Sequence, residues 1–544
     1  MALEALKNFL KTTPIHDAWK SIGIRSHHGI DLALSSLKTK KSSGIGEFLD
    51  LLPLIDWCHE VGFSIIQLLP LNDSGEDPSP YNALSSTALH YIYLSLYALP
   101  FLDEAPLLRE ALKSFHFFNE TDKVDYAGVL KEKSAWLKRY YDAVGTRILA
   151  LASYQAFLKE NPWVEEYALY KTLKNSMSFA TWQNWPDGLH SPSKNQIKEL
   201  LHIHKEWVSY YSVLQYLCYE QLKSVKDYAN TMPVFIKGDI PILISPDSAD
   251  VWIHREFFDT SFSVGYPPDI YTTEGQHWGF PAFHWDVIKH SHYSWWKQRL
   301  KVGSYYYHLY RLDHVAGFYR LWLIPQGKKP KDGFYKPQEI QEASRCGHEY
   351  LSTITASSSM LPIAEDLGHI PKEVAHSLRA LGIPGTRVIR WERDYQGDRH
   401  FFPYNTYHPL SMTCVSTHDS ETLELWWRNA PGEAKDFCLF NQWEYTPLLA
   451  KERRLEILKR AHQTSSLFHI NLFQEYLALF PELIHTHPEE ERINVPGLIL
   501  PSNWTYRFRP SLEKILAHPR FRCNLETILS HSELQYTIKN LLTP

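Results

Sequence analysis

Carboxylates close short apolar runs at four places in this chain of 544 residues. They are Asp239 in VFIKGDIPILI, Asp313 in YRLDHVAG, Glu365 with Asp366 in LPIAEDLG, and Asp419 beside His418 in TCVSTHD. Any one of them has an ordinary use as a helix N-cap or a solvated strand end. Four at one mouth would allow chemistry at a glycosidic bond, which needs one ionised carboxylate as nucleophile and a second that keeps its proton for the leaving oxygen, about 5 to 5.5 Å apart in the retaining arrangement. Arg311 lies two residues before Asp313 and so on the same face of a strand. A guanidinium there favours the charged carboxylate, which suits Asp313 as nucleophile. Glu365 follows Pro362, Ile363 and Ala364, an apolar setting that suits a protonated general acid.

The elements that must present these residues have strand length and end beside Gly or Pro. The expected strands are SIGIRSHH (21–28), FSIIQLLP (63–70), VFIKGDIPILI (234–244), YRLDHVAG (310–317), LPIAEDLG (361–368), TRVIRWE (386–392), TCVSTHD (413–419) and INVPG (493–497). Helical periods such as EFLDLLPLIDWCHEVG (47–62) and PKEVAHSLRALG (371–382) lie between them. Strand followed by helix, repeated, predicts parallel β structure with crossover helices. Eight candidates fit an α/β fold of the (β/α)8 TIM-barrel type, with a doubly wound sheet left open by periodicity alone. In a barrel the chemistry sits at the C-terminal ends of the strands. The whole chain, 1–544, is expected to be one catalytic barrel without a C-terminal β-sandwich. A helical insertion is expected over 100–230, between the second and third strands, and an insertion or lid over 245–305. The Lys/Pro/Gly-rich segment 325–345 reads as an exposed loop.

Composition narrows the partners. A net charge of -5 gives no basic surface for nucleic acid. No run approaches the roughly 18 apolar residues of a membrane span, and the N-terminal stretch lacks a secretory h-region, so a cytoplasmic protein is expected. Six cysteines at 58, 218, 346, 414, 438 and 523 form no C-x-x-C pair and read as free thiols. No metal motif stands out among the 28 histidines, and no dinucleotide loop, P-loop or G-x-S-x-G elbow occurs. No metal and no cofactor are therefore expected. An aromatic fraction of 14% with 18 Trp suits stacking on sugar faces as well as core packing.

Seven segments, in order, carry a resemblance: LLPLNDSGEDPSPYNALSSTAL (68–89), KGDIPILISPDSADVW (237–252), GYPPDIYTTEGQHWGFPAFHW (265–285), YRLDHVAGF (310–318), IAEDLG (363–368), STHDSETLELWW (416–427) and NVPGLILPSNWTYRFRPSL (494–512). The chain resembles the 4-α-glucanotransferases called amylomaltases or disproportionating enzymes, glycoside hydrolase family 77, relatives of the α-amylases. The resemblance implies transfer of α-1,4-glucan segments from a donor to the 4-hydroxyl of an acceptor by a retaining double displacement. Its partners would be maltooligosaccharides and glycogen-like glucans, and its oligomeric state a monomer or weak dimer. It assigns Asp313 as nucleophile, Glu365 as general acid/base and Asp419 as transition-state stabiliser. Arg311, His418 and Asp239 would surround the reacting sugar, with Ser79 and Tyr81 as a donor-side platform. Asp269, Gln276 and Trp278 match a mobile loop over the cleft, and Asn494 a second loop facing it.

Departures from the family's common pattern occur at Ala316, Ser420, Phe280 and His90-Tyr91. DHVAGFYRLWLIP and KGDIPI look closer to the plant cytosolic transglucosidase branch, which acts on maltose and branched glucans, although the chain leaves no room for that branch's N-terminal starch-binding modules. A mainly hydrolytic α-glucosidase or amylase, a maltose–glycan transglucosidase and a non-catalytic glucan binder are the other readings.

Overall fold

The computed structural model describes residues 2–268, 273–368, 370–395 and 397–529. Eight parallel strands carry the architecture: β1 (His27–Leu32), β2 (Ile65–Leu68), β3 (Phe235–Ile240), β4 (Leu309–Leu312), β5 (Leu361–Ala364), β6 (Gly385–Val388), β7 (Ser411–Cys414) and β8 (Phe468–Leu472). The hydrogen-bonded order runs 5-4-3-2-1-8-7-6. Successive strands are neighbours all round and β1 pairs with β8, the order of a ring and not of a doubly wound sheet. At the remaining gap Ala364 N–H donates to Pro384 O at 2.7 Å and Thr386 Oγ1 donates to Ala364 O at 2.8 Å. The fold is a TIM barrel with helical insertions.

Two strands lie elsewhere than the sequence predicts. The first is displaced: His16–Ile22 is helical, and β1 begins only at His27. The eighth is Phe468–Leu472, whereas INVPG (493–497) is a loop. In both true strands polar residues hide the apolar pattern. His27 stacks on Phe468 at 5.2 Å and His28 on His469 at 4.9 Å, all buried. Asn471 on β8 donates to Tyr476 Oη at 2.9 Å. Segment 325–345 is also not all loop, since Phe334–Lys336 is a strand and Ile340–Thr355 a helix.

Crossover helices form where apolar spacing demands one buried face. In Leu51–Val61 the buried set is Leu51, Leu54, Ile55, Trp57, Cys58 and Val61, a stripe at helical spacing. Gly62 ends it at φ 91°, a left-handed cap whose N–H returns to Cys58 O and His59 O. Between β2 and β3 stand long helices, Tyr126–Leu149, Trp163–Ser176 and Lys205–Thr231 among them. Between β3 and β4 lie a short strand pair and the helix Ser294–Ser304. A four-stranded antiparallel sheet joins Phe262–Tyr266 and Gln276–His277 to Leu321–Pro325 and Phe334–Lys336 from beyond β4. Among the described residues no helix is long and apolar enough to cross a membrane, and all six cysteines are free thiols.

Candidate active site

Strand register sets the first contact. Asp239 on β3 is directly paired with Arg311 on β4. Arg311 Nη1 donates to Asp239 Oδ2 at 2.9 Å and Oδ1 at 3.2 Å. The same nitrogen lies 2.6 Å from Asp313 Oδ1, one residue past the end of β4. Arg311 Nη2 approaches Glu365 Oε2 to 3.9 Å at the end of β5. One guanidinium therefore faces three carboxylates. Burial works against its charge, but Asp239 and Asp313 raise its pKa well above the usual arginine value.

Glu365 is held by backbone donors. His314 N–H donates to Oε2 and Leu367 N–H to Oε1, each at 2.9 Å. His314 sits at φ 43°, a left-handed conformation rare for a side chain of this kind, and its N–H meets the carboxylate from there. Burial pushes the Glu365 carboxyl up to about 7, opposed by Arg311 and reinforced by Asp313. This is the range of a group that holds a proton near neutrality and can release it.

The loop after β7 carries His418 and Asp419. Burial alone would raise the Asp419 carboxyl, but His418 Nε2 at 3.3 Å and the Asn494 Nδ2 donor at 2.6 Å hold it well below the usual carboxylate range. Burial disfavours a charged His418, yet Asp419 raises its pKa. Tyr81 joins the two halves. Its hydroxyl donates to Asp239 Oδ2 at 2.8 Å and meets His418 Nε2 at 2.9 Å, and its ring stacks on the imidazole at 5.5 Å.

The structure thus brings Asp313, Glu365, Asp239, Arg311, Tyr81, His418, Asp419 and Asn494 into one connected constellation. Trp278 meets it indirectly, edge-on to the His314 ring at 5.0 Å, and its Nε1 donates to Gln276 Oε1 at 3.0 Å. Ser79 lies in the turn before Tyr81, its N–H donating to Asp77 Oδ1 at 2.9 Å. Asp269 lies outside the described residues. Two of the departures serve local structure. His90 is buried with Nε2 2.7 Å from Tyr126 Oη, and Ser420 Oγ accepts from Thr417 N–H at 2.9 Å.

Sequence reasoning missed several neighbours. Trp504 packs on Tyr81 at 5.5 Å and on His418 at 6.1 Å; it lies in the segment 494–512 that carries the resemblance, but the resemblance assigns it no role. Beneath the carboxylates lies a polar layer: Asp31, Gln67 and Lys237 are register partners across β1, β2 and β3, and Lys237 Nζ donates to Gln67 Oε1 at 2.5 Å. Burial raises Asp31 to about 6 and lowers Lys237 to about 7. Polar residues at spacing 2 below Asp239 were the available signal. Glu475 Oε1 accepts from Ser416 Oγ at 2.6 Å and Leu423 N–H at 2.8 Å, clamping both ends of the loop that carries His418 and Asp419. Among the described residues Asp394, Asp398 and His400 are close enough to converge on a cation, but they lie on the loop after β6 and none of the carboxylates above belongs to that group.

A parallel barrel with carboxylates gathered at the C-terminal ends of its strands is the frame of an enzyme. The chain belongs to the 4-alpha-glucanotransferase family, glycoside hydrolase family 77, whose sequence model matches residues 32–513. It is 45% identical over 514 residues to a 4-alpha-glucanotransferase of Chlamydia pneumoniae, covering 94% of this chain and 97% of that one. To a rice 4-alpha-glucanotransferase, DPE2, it is 32% identical over 307 residues, 55% of this chain and 32% of that one. Among solved structures it is similar to the amylomaltase from Streptococcus agalactiae in complex with acarbose, with TM-score 0.76, 26% identity, and coverage of 93% of this chain and 98% of that one.

Proposed function

We propose that this enzyme moves segments of α-1,4-glucan by a retaining double displacement. The observation that carries the reading is that Asp313 and Glu365 face one guanidinium, with Glu365 poised to hold a proton near neutrality. In the first step an Asp313 oxygen attacks the anomeric carbon, the glycosidic C–O bond breaks, and the Glu365 proton passes to the leaving oxygen. In the second, the Glu365 carboxylate takes the proton of an acceptor 4-hydroxyl, whose oxygen displaces Asp313 and restores the α linkage. Positive charge grows on the sugar ring in each transition state, and a carboxylate held ionised, Asp419, stabilises it. Arg311 and Asp239 keep Asp313 aligned, while His418, Tyr81, Ser79 and Asn494 line the reacting subsite. Gln276 and Trp278, on the segment beside the cleft, help exclude water in favour of sugar; Asp269, the third residue assigned there, lies outside the described residues.

The substrates on this reading are maltooligosaccharides and glycogen-like glucans, handled in the cytoplasm without a cofactor by a monomer or weak dimer. The helical stretch 100–230 and the segment 245–305 act as insertions around the single barrel. The test is chromatography of products from maltotriose, and separately from maltose with glycogen, using Asp313→Ala as control. A ladder of longer oligosaccharides plus glucose, without net gain of reducing ends and absent in the variant, is expected. Glucose release only when glycogen accompanies maltose would assign the transglucosidase activity. Net hydrolysis would replace transfer by an amylase reading, and no turnover of either mixture would leave a glucan binder.

A further inference from the structure

Beside Asp239 lies a small cavity of about 20 Å³ whose polar lining includes Asn72, Ser86, Thr87, Asp239, Arg299 and Tyr306. Arg299, on the helix Ser294–Ser304, is only 4% exposed, and its Nη1 has no hydrogen-bond partner among the described residues. Its guanidinium packs against Trp296 at 5.1 Å and Trp295 at 5.4 Å. Asp250, the carboxylate that acts on it most strongly, is already engaged by Ser86 N–H, Ser86 Oγ and Trp295 Nε1. A buried cation without a direct partner is costly to keep, and it acts through its field on whichever charges face it. Those are Asp250, Asp239 and Asp313.

We propose that Arg299 is a positioning residue whose positive charge acts on Asp239 across this cavity and, through Asp239, fixes Arg311 against Asp313. The cavity has room for about one water molecule, and Arg299 and Asp239 both present polar groups to it, so a hydrogen-bonded link between them can run through that bridging molecule. The proposal rests on the reading of Asp313 as nucleophile. Asp239 is faced by Arg311 and Asp313 from β4 and its loop, by His418 from the β7 loop, and by Tyr81; Lys237 and Asp31 lie in the layer beneath. Burial already pushes the Asp239 carboxyl up. Removing a facing positive charge raises it further, so Asp239 takes up a proton at higher pH and releases its hold on Arg311.

The experiment measures kcat/KM for maltotriose from about pH 4 to pH 8 for the full-length wild type, Arg299→Met, Arg299→Gln and Arg299→Lys, with thermal unfolding of each. In the Met and Gln variants the acid limb is expected to move upward by about one pH unit, and in the Lys variant to return towards the wild-type position. A folded Met or Gln variant with an unmoved limb, or a Lys variant indistinguishable from both, overturns the proposal. If the wild type yields no transfer ladder, the transferase reading fails instead, and the two failures are distinguishable because the limb can still be followed on any hydrolysis that remains.

Discussion

Arg311 Nη1 stands 2.6 Å from Asp313 Oδ1 while donating to both oxygens of Asp239, so the residue proposed to attack the sugar is held by a cation that is itself anchored on the neighbouring strand. The arrangement needs a planar fork with several N–H directions. A lysine carries the charge on a single nitrogen and cannot meet Asp239, Asp313 and Glu365 at once. Arg311→Lys is expected to lower kcat for maltotriose transfer by about 10- to 100-fold with a smaller change in KM, measured by initial rates of glucose release.

Glu365→Gln separates activity from stability. Loss of the transferable proton should reduce transfer by about 10²- to 10⁴-fold. The native carboxyl is raised from 4.5 to about 7, so as pH climbs through that window the unfolded chain ionises first and the native state bears a growing penalty that is complete above pH 7. Glutamine cannot ionise. Relative to wild type the variant should therefore gain about 1 to 3 kcal/mol between pH 4 and pH 8, read from urea midpoints at the two pH values. An equal difference at both would remove the charge argument.

Asn494 reaches Asp419 from a loop about 75 residues further along the chain. Asn494→Ala deletes a donor that favours the ionised form, so the Asp419 pKa moves back up, and kcat/KM is expected to drop about tenfold. Asn494→Asp places a like charge at the same spot and should cost more than the alanine. Steady-state kinetics of the pair check the ordering.

The base of the barrel holds a second pH-sensitive group. His28 Nδ1 and His462 Nδ1 are 2.8 Å apart, and His469 stacks on His28. Burial holds His27 and His469 near pKa 4, and His28 and His462 well below 6.5. Below pH 6.5 the unfolded chain takes up protons that the native stack refuses, so the stability these groups give above 6.5 is lost as pH falls towards 4. His469→Asn should be less stable than wild type at pH 7.5, with a flatter decline between 6.5 and 4 in denaturant titrations.

The grouping of the carboxylates was more legible in the sequence than the exact limits of the strands that carry them. Asp239, Asp313, Glu365 and Asp419 each end an apolar run, and an apolar run closed by a charge survives any local error in strand limits. β1 and β8 were misplaced because His27, His28, His469 and Asn471 are buried through stacking and hydrogen bonds, which no hydropathy pattern records. INVPG looked like a strand but makes no ladder: its Asn494 side chain goes to Asp419, and Val495 N–H donates to Asn503 Oδ1 at 3.1 Å. Glu475 was invisible for a different reason, since it acts across more than 50 residues of chain with no neighbouring motif to mark it; Arg299 and Trp504 reach the site through the folded barrel, not through any local pattern of their own.

The closing gap of the barrel gives Asp366 a meaning separate from that of its neighbour. Pro362 in β5 and Pro384 before β6 have no N–H to donate, which starves a ladder between these strands. Asp366 supplies side-chain acceptors instead, taking Thr386 N–H at 2.7 Å and Arg387 Nη1 at 3.0 Å. Two adjacent carboxylates thus divide the labour, Glu365 proposed as the proton donor and Asp366 serving as the stitch that draws the last two strands together. Whatever loosens that stitch shifts the carboxyl beside it, so at this corner the proposed geometry of proton transfer and the continuity of the wall are a single mechanical property.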